Sequence, residues 1–361
     1  MTRGSSRPRY RDELRAVLDS MLEGVIAVDG RGRIIHMNAG AELLACVGAD
    51  DAVGRKLGAV VDLDAVRDVA ERVLAGGGPE AALVRRKRGV REDVIQVRAA
   101  PLKGKGDKLA GAVIVFQDIS ELERLATVRQ EFISNASHEL KTPVTAILGL
   151  IETLVDTPDV DADTHDQFLV RIRDQARRLR ALVSDLLTLS RLESPQSGFV
   201  TEPVDLTEPV RDAYEALLTL AQAKNIALTG AWPRGPVIVE ADREGLRQAA
   251  TNLIDNAIKY TPAGGRVAVR VLAALDLKGR PVGRLEVEDT GIGIAPADQE
   301  RVFERFYRVD RARSRDAGGT GLGLAIVKHI TRATGGEIEL TSVPGRGSAF
   351  RLWWPRLRTR E

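Results

Sequence analysis

The sequence has almost no cysteine and no long hydrophobic run. Cys46 is the single cysteine, so the chain forms no intramolecular disulfide and suits a reducing compartment. The best apolar stretches, Leu109–Phe116 and Ala146–Val155, fall short of the roughly 20 residues that a membrane-spanning helix needs. Residues 1–5 carry positive charge but no apolar stretch follows them, which argues against a signal peptide. The chain as given is therefore expected to be cytoplasmic.

The sequence also lacks a strong excess of charge of either sign. It has 53 Lys and Arg against 51 Asp and Glu, a formal net charge of +2, so nothing requires a nucleic-acid or membrane partner. The most basic segment, residues 85–88 with Arg91, lies between two strand-like runs and is predicted to be a solvated hairpin tip. Cys46 lies within the apolar segment Leu43–Val47, so we expect it to be buried.

The length and composition indicate a multidomain α+β protein. A chain of 361 residues is too long for one typical domain and suits two to three. Its 43% hydrophobic and 29% charged residues are ordinary for a globular protein with sizeable cores. A turn-rich segment, Glu193–Gly198, predicts one linker.

Residues 12–118 are predicted to form the first domain. Apolar residues at helical spacing between Leu14 and Leu22 predict a helix that Gly24 ends. The dipeptide Asp29-Gly30 is a hairpin signal between two strand-like runs. Two more such runs follow later, which predicts a mixed α/β module. The predicted strands are residues 25–28, 33–36, 93–99 and 111–117.

The order of these elements resembles a PAS sensor domain. A helix, a hairpin, short helices and a three-strand meander follow each other, with Lys103–Lys108 as a flexible hairpin loop. Asn38 and residues 118–120 are typical of that family. The resemblance implies a signal-receiving domain.

Residues 119–194 are predicted to form a helical hairpin. Ser120 and Glu123 fit a capping box that starts a long helix, and Thr157-Pro158 ends it. A second helix is predicted over 163–192. Two such helices cannot bury their apolar faces alone, so we predict a homodimer with a four-helix bundle. The predicted apolar stripes are Leu140, Val144, Ile147, Ile151 and Leu154, and Phe168, Ile172, Leu179, Leu182 and Leu186.

Residues 200–356 mix strands and helices and are predicted to form an α/β sandwich with its own core. The predicted helices cover 246–260 and 322–334. The predicted strands are residues 237–240, 267–271, 284–289 and 349–353.

The helical hairpin carries a histidine beside a carboxylate, in the segment Phe132–Pro143. Neighbours on a helix point about 100° apart, so His138 is predicted to face outward while Leu140 packs inside. An exposed neutral imidazole is a workable nucleophile near pH 7, and Glu139 is able to accept a hydrogen bond from one ring nitrogen. Pro143 removes the helical partner of the Glu139 carbonyl and allows a bend there. His36, His165 and His329 have no such context.

The segment around His138 resembles the H-box of HisKA-type histidine kinases. The resemblance implies that His138 is phosphorylated, that Glu139 assists, and that Thr142 positions water for dephosphorylation of a partner. Residues 149–154 are similar to phosphate-regulon sensor kinases.

Three motifs in the C-terminal domain suit a nucleotide. Asn252, Asn256 and Lys259 are spaced by four and then three residues, so they share one face of a helix. The amide oxygens on this face suit Mg²⁺, and the lysine ammonium suits phosphate oxygens. Asp289 ends a strand, where its carboxylate is able to accept a hydrogen bond from the adenine amine or simply cap a turn. Gly319–Gly323 opens a helix, a ready anion site, without the context of a Walker or dinucleotide motif.

In this order, with residues 302–308 between the second and third motifs, the set resembles the boxes of the GHKL (Bergerat) ATPase fold. The resemblance implies that ATP and Mg²⁺ are bound, that Asn256 holds Mg²⁺, that Asp289 recognises adenine, and that Arg308 or Lys259 contacts phosphates. Residues 309–318 would form a lid over ATP. The implied ATP-binding residues are Asn252, Asn256, Lys259, Tyr260, Asp289, Gly291, Gly293, Arg308, Thr320, Gly321, Leu322 and Gly323.

Together the motifs resemble those of a sensor histidine kinase, which transfers phosphate from ATP to His138 and then to an aspartate of a response-regulator receiver domain. Kinases of this type often carry membrane spans upstream, so the chain is expected to be cytoplasmic or the cytoplasmic part of an inner-membrane sensor. Two alternatives stay open. Another GHKL ATPase would have the nucleotide motifs without a use for His138, and a non-catalytic dimeric scaffold would not need intact Asn256 and Asp289.

Overall fold

The structure is a computed structural model that describes residues 13, 16–88, 91–157, 161–193, 201–276, 278–309 and 319–357. It divides into two compact units, Met1–Glu131 and Phe132–Glu361. The predicted residues Leu14 and Pro158, the linker 194–198 and the segment 310–318 lie outside the described residues. Within the described residues, no helix combines the length and the apolar character needed to cross a bilayer.

The first unit contains a five-stranded antiparallel sheet with the order β2-β1-β5-β4-β3. The predicted hairpin at Asp29-Gly30 and the three-strand meander are both present, which confirms the PAS-like sheet. Short helices lie between β2 and β3. The elements are β1 Gly24–Asp29, β2 Ile34–Met37, α1 Ala39–Ala45, α2 Ala49–Ala52, α3 Asp64–Leu74, β3 Glu80–Arg88, β4 Arg91–Lys103 and β5 Leu109–Asp118, with 3₁₀ turns at Leu57–Ala59 and Lys105–Asp107.

Periodicity explains the core of this unit. Ala112, Ile114 and Phe116 alternate along β5 and are all buried, because successive strand residues point to opposite faces. On α3, Val66 and Val73 lie two turns apart on the face that packs onto this core. The basic segment 85–88 forms the end of β3, where Arg88 pairs with Arg91 across the predicted hairpin.

Asn38 is buried and uses its whole hydrogen-bonding capacity. Its Oδ1 accepts from the amides of Val25 at 2.7 Å and Ala41 at 3.0 Å. Its Nδ2 donates to the carbonyls of Leu18 at 2.8 Å and Glu23 at 3.0 Å. One side chain thus caps α1 and ties it to β1 and to the segment before it.

The prediction that Cys46 is buried is wrong. Cys46 is exposed, and Leu43 one turn earlier is 80% exposed. The physical reason is the end of α1, where Cys46 takes a left-handed conformation with φ of 55° as the C-cap. The chain turns away from the core at this residue, so the local apolar composition of the segment does not bury its thiol.

The predicted start of the long helix α4, Ser120–Asp156, is confirmed, but the predicted capping box is wrong. The Ser120 hydroxyl accepts from the Val94 amide of β4 at 2.8 Å, and the Asp118 carboxylate accepts from the Ser120 amide at 2.9 Å. Glu123 reaches the Arg85 guanidinium at 3.5 Å instead of the helix start. Ser120 and Glu123 therefore contact residues of the sheet and do not form the capping box with each other.

The second unit contains the rest of α4, a second long helix and a mixed sheet with the order β11-β12-β10-β9-β7, in which only the β7–β9 pair is parallel among the described strands. The predicted α/β sandwich is confirmed. The further elements are α5 Ala162–Glu193, β6 Glu202–Asp205, α6 Thr207–Ala223, β7 Ala227–Ala231, β8 Ile238–Ala241, α7 Arg243–Tyr260, β9 Arg266–Leu275, β10 Pro281–Asp289, α8 Gly323–Ala333, β11 Glu337–Val343 and β12 Gly347–Pro355, with a 3₁₀ turn at Arg301–Phe303.

The core of the second unit joins the sandwich to the helical hairpin. Helix α7 packs against both α6 and α8, and Leu253 and Ile326 are completely buried between them and the sheet. Leu182 and Leu189 of α5 belong to the same apolar cluster. The hairpin therefore packs on the sandwich through part of the stripe that was predicted for α5.

Other apolar residues of the hairpin remain uncovered. Val144 and Ile151 of the predicted α4 stripe are 41% and 42% exposed, and Leu148 and Val155 beside them are exposed as well. Pro143 lies within α4 and is buried, and the helix continues through it. A single copy of the chain thus leaves an apolar surface along α4.

Candidate functional site

The described residues bring α4 and α5 into contact with the part of the sandwich that carries Arg308 and the glycine-rich loop. His138 lies on α4 and is exposed, as predicted, while Leu140 is half-buried and contributes to the core. The Thr142 hydroxyl donates to the His138 carbonyl at 3.0 Å, one turn further along. The imidazole is therefore accessible to a reactant.

Two arginines hold the carboxylate that follows the histidine. Glu139 Oε2 accepts from Arg178 of α5 at 3.2 Å and from Arg308 of the sandwich at 3.3 Å. The side chains of Arg178 and Arg308 are only 12% and 5% exposed, so this is not a solvated surface pair. Arg308 also donates to the Gly319 carbonyl. The predicted phosphate-binding arginine and the predicted assisting acid are thus in contact.

Aromatic packing supports the same junction. The rings of Phe132 on α4 and Phe306 of the sandwich lie 5.9 Å apart, and the Arg305 guanidinium lies 5.3 Å from the Phe132 ring. The Phe306 amide donates to the Gly321 carbonyl at 2.9 Å, so the residue that packs on α4 also contacts the glycine-rich loop.

The asparagine motif lies on α7 and faces the start of α8. Asn252 Nδ2 donates to the Gly323 carbonyl at 3.3 Å, and Asn256 Nδ2 lies 3.7 Å from the position of a Cβ on Gly323. Lys259 pairs with Asp255, 2.6 Å from Nζ to Oδ2. The amide oxygen of Asn256 is a hard donor on a side chain close to the glycine-rich loop, a chemistry that fits the predicted Mg²⁺.

Asp289 ends β10 and is buried. Its Oδ1 accepts from the Gly291 amide at 2.7 Å, and burial raises the pKa of this carboxyl above its usual range. A Cβ on Gly291 would lie 2.6 Å from the Tyr260 carbonyl, which accepts from the Ile292 amide at 3.3 Å. Tyr260 therefore contributes its backbone to this turn. Gly293 completes the turn with φ of +68°.

The glycine-rich loop precedes α8, which begins at Gly323. Gly321 has φ of +74°, and a Cβ there would lie 3.0 Å from the Phe306 Cα. The Leu322 amide donates to the Thr320 hydroxyl at 3.2 Å, and Leu322 itself is buried. Of the predicted lid 309–318, only Val309 lies within the described residues.

Two residues of α5 reach this site and were missed in the sequence. One is Arg178, bound to Glu139. The other is Asp185, whose Oδ2 accepts from the Thr320 hydroxyl at 2.7 Å. A signal for Asp185 was present, because this acid lies on the same helix face as Leu182 and Leu189 and so interrupts an apolar stripe.

With this geometry established, the chain was compared with known families. Residues 128–195 match the family described as His Kinase A (phospho-acceptor) domain. Residues 241–358 match the family described as Histidine kinase-, DNA gyrase B-, and HSP90-like ATPase. Residues 5–124 match the PAS fold. The chain thus combines a phospho-acceptor domain, an ATPase-type domain and a PAS fold, and the His Kinase A match argues against the alternative of a different GHKL ATPase.

The relatives specify the family. The chain is 36% identical over 349 residues to the sensor-like histidine kinase SenX3 of Mycobacterium tuberculosis, covering 95% of this chain and 80% of the relative. It is 32% identical over 362 residues to the sensor histidine kinase WalK of Bacillus subtilis, covering 98% and 56%. It is 38% identical over 241 residues to the phosphate regulon sensor protein PhoR of Pseudomonas aeruginosa, covering 66% and 52%. The chain belongs to the sensor histidine kinase family.

A solved structure agrees with this assignment. Histidine kinase ThkA in complex with response regulator protein TrrA is similar with a TM-score of 0.52 and 25% identity, covering 95% of this chain and 98% of that chain. The predicted likeness to phosphate-regulon sensors is confirmed by the similarity to PhoR. The chain spans only about half the length of WalK and PhoR.

Proposed function

We propose that the protein transfers the γ-phosphoryl group of ATP to His138 and then to an aspartate of a response-regulator receiver domain. The observation that supports this most directly is the exposed imidazole on α4, next to a carboxylate that Arg308 of the ATP-binding domain reaches at 3.3 Å. The residue that follows the acceptor in the chain therefore contacts a residue of the proposed donor site.

The residues suit an in-line displacement. One ring nitrogen of His138 attacks the γ-phosphorus with its lone pair while the other nitrogen carries the proton, and the bond from phosphorus to the ADP oxygen breaks. Glu139 would orient the imidazole by accepting its N–H once the arginines release the carboxylate. Arg308 and Lys259 would then balance the charge that develops on the phosphoryl oxygens.

For the donor site, we propose the roles that the family resemblance implies. Asp289 accepts a hydrogen bond from the adenine amine. Phosphates bind to the loop amides before α8 and to Lys259, with Asn252, Tyr260, Gly291 and Gly293 shaping the pocket. Asn256 would hold Mg²⁺, which supplies positive charge to the phosphates when bound.

We further propose three domains, a homodimer and a phosphatase activity. The domains would be residues 12–118, 119–194 and 200–356, and the family matches at 5–124, 128–195 and 241–358 support this division.

The exposed apolar residues of α4 support pairing with a second copy. Exposed Thr142 would position water for dephosphorylation of the regulator, which would dock near Leu148. We also propose that the protein lies in the cytoplasm or is the cytoplasmic part of an inner-membrane sensor.

Incubation with γ-labelled ATP tests the central step. We expect acid-labile, base-stable label in the wild type and none in His138→Ala. His165→Ala is a matched control, because His165 is an exposed histidine on the neighbouring helix α5 with a side chain that is 52% exposed. Label that persists in His138→Ala, or that is lost in His165→Ala, would contradict the assignment of His138.

A further inference from the structure

Asp185 is an acid placed inside an apolar contact. It lies on α5 between Leu182 and Leu189, which are 2% and 0% exposed and pack in the core of the second unit. Its carboxylate accepts from the Thr320 hydroxyl at 2.7 Å, and Thr320 is itself only 9% exposed. A ligand that needs the Thr320 hydroxyl reaches it only if this part of α5 moves.

The surroundings of Asp185 combine groups that attract an anion with burial that disfavours its charge. Thr320 lies in the glycine-rich loop that precedes α8. The N-terminus of α8, which follows the loop, carries the partial positive charge of the helix dipole. The Lys259 ammonium attracts the carboxylate while Asp255 repels it, and burial raises the pKa of Asp185. The same loop and ammonium are assigned above to the phosphates of ATP, and Thr320 is among the ATP-binding residues that the family resemblance implies.

We propose that Asp185 takes the place of a phosphate group in the nucleotide-free chain and competes with ATP for the glycine-rich loop. This inference rests on the proposed function. Two anions cannot share the Thr320 hydroxyl, so the phosphates enter only after α5 has left the loop. Nucleotide binding is thereby coupled to separation of the hairpin from the ATP-binding domain. The contact that separates is the one in which Glu139 binds Arg308.

The competition has a measurable size. If nucleotide binds only to the open form, the apparent Kd exceeds the intrinsic Kd by the ratio of closed to open chains. Asp185→Ala removes the hydrogen bond to Thr320 and weakens the closed form by about fivefold. Asp185→Asn keeps the shape and a neutral hydrogen bond and removes the cost of burying a charge, so it does not weaken the closed form. The apparent Kd falls by up to about fivefold in Asp185→Ala and does not fall in Asp185→Asn.

The test is calorimetric titration of the full chain with AMP-PNP, ADP and adenosine at constant ionic strength. We expect Asp185→Ala to bind AMP-PNP and ADP more tightly than the wild type, Asp185→Asn to bind them no more tightly, and both variants to bind adenosine with unchanged affinity. Asp174→Asn is the matched control, because Asp174 has the same charge on the same helix but is exposed beside Arg173. It should bind all three ligands as the wild type does.

The outcomes separate this inference from the proposed function. Unchanged or weaker AMP-PNP binding in Asp185→Ala, with wild-type circular dichroism, overturns the competition and leaves the kinase assignment intact. An equal gain for adenosine overturns it too, because the effect would not then lie at the phosphate end. Failure of the wild type to bind any of the nucleotides overturns the proposed function itself.

Discussion

Replacement of Asp289 by asparagine tests the nucleotide site at a single atom. Asp289 is buried, and its Oδ1 is bound to the Gly291 amide at 2.7 Å. If the asparagine keeps this bond through its oxygen, its Nδ2 replaces the other carboxylate oxygen. That nitrogen is a donor, and the adenine amine that it would meet is also a donor. The variant therefore loses a charged acceptor and gains a mismatch.

The size of the effect follows from the energy of such a bond. A hydrogen bond to a charged group contributes about 1.5–3 kcal/mol, which corresponds to roughly 10- to 150-fold in affinity. We expect AMP-PNP to bind to Asp289→Asn more weakly by a factor in this range in calorimetric titration. GMP-PNP, which presents a carbonyl at the corresponding position, should lose less, so the preference for adenine over guanine should shrink.

The pH dependence gives a second measurement on the same group. Burial raises the pKa of Asp289, and the ionised carboxylate is the stronger acceptor for the adenine amine. The ratio of wild-type to variant affinity should therefore be largest above this raised pKa and should decline as the pH falls through it, at a higher pH than for an ordinary aspartate. The titration of the nucleotide itself cancels in the ratio.

Stability serves as the control for this variant. An acid with a raised pKa in the folded state contributes stability that is present below its unfolded pKa and is lost as the pH rises through its folded pKa. Removal of its charge at neutral pH should not by itself lower Tm. A folded Asp289→Asn protein with unchanged AMP-PNP affinity, or with equal losses for both nucleotides, would refute the adenine role.

Two further predictions concern single residues. Gly321→Ala should weaken AMP-PNP binding about tenfold. A side chain at φ of +74°, with its Cβ 3.0 Å from the Phe306 Cα, makes the free loop leave this conformation, and its recovery for the nucleotide costs roughly 1–2 kcal/mol. Gly149→Ala, with no atom within 4 Å of its Cβ, should bind normally in the same titration. Asn38→Ala should lower the free energy of unfolding by about 3 kcal/mol in urea, because two buried and two partly buried hydrogen bonds to the backbone are lost at about 1 kcal/mol each. A loss under about 1 kcal/mol would contradict this role.

Periodicity predicted the elements better than their ends. The helix predicted over 246–260 is α7, Arg243–Tyr260, and the structure extends it by one turn because Asp242 caps it by accepting from the Gly245 amide at 2.6 Å. An apolar pattern marks only the buried part of a helix, whereas its first turn is fixed by a cap and can be entirely polar.

The two wrong predictions, at Cys46 and at Ser120, share one cause. Each prediction relied on a local sequence pattern. The actual position or partner of the side chain is determined by a contact distant in sequence or by a change of backbone direction. Ser120 and Glu123 form a suitable capping box in isolation, but Val94 of the adjacent strand takes the hydroxyl and Arg85 takes the carboxylate. Tertiary partners of equal or greater strength displace a weak local cap.

The residues of the site likewise divide into those that a local pattern predicted and those whose contacts no local pattern predicted. Residues within one motif, such as Asn252 and Asn256, were predicted from spacing because a helix fixes their common face. The contacts of Asp185 with Thr320 and of Glu139 with Arg308 join positions 135 and 169 residues apart. They depend on where the hairpin packs on the sandwich, and no periodicity in either segment specifies that.

The contact between the hairpin and the sandwich combines apolar burial with polar bonds of limited strength. Leu182, Leu189 and Phe132 supply burial, which is not directional and tolerates a shift of the helix along the surface. The bonds of Glu139 and Asp185 fix one register, yet each has lost solvation on forming, so its net contribution is small. Triphosphate binding, which offers the same cations and hydroxyl a stronger partner, is therefore able to break the polar bonds without the need to unfold either element.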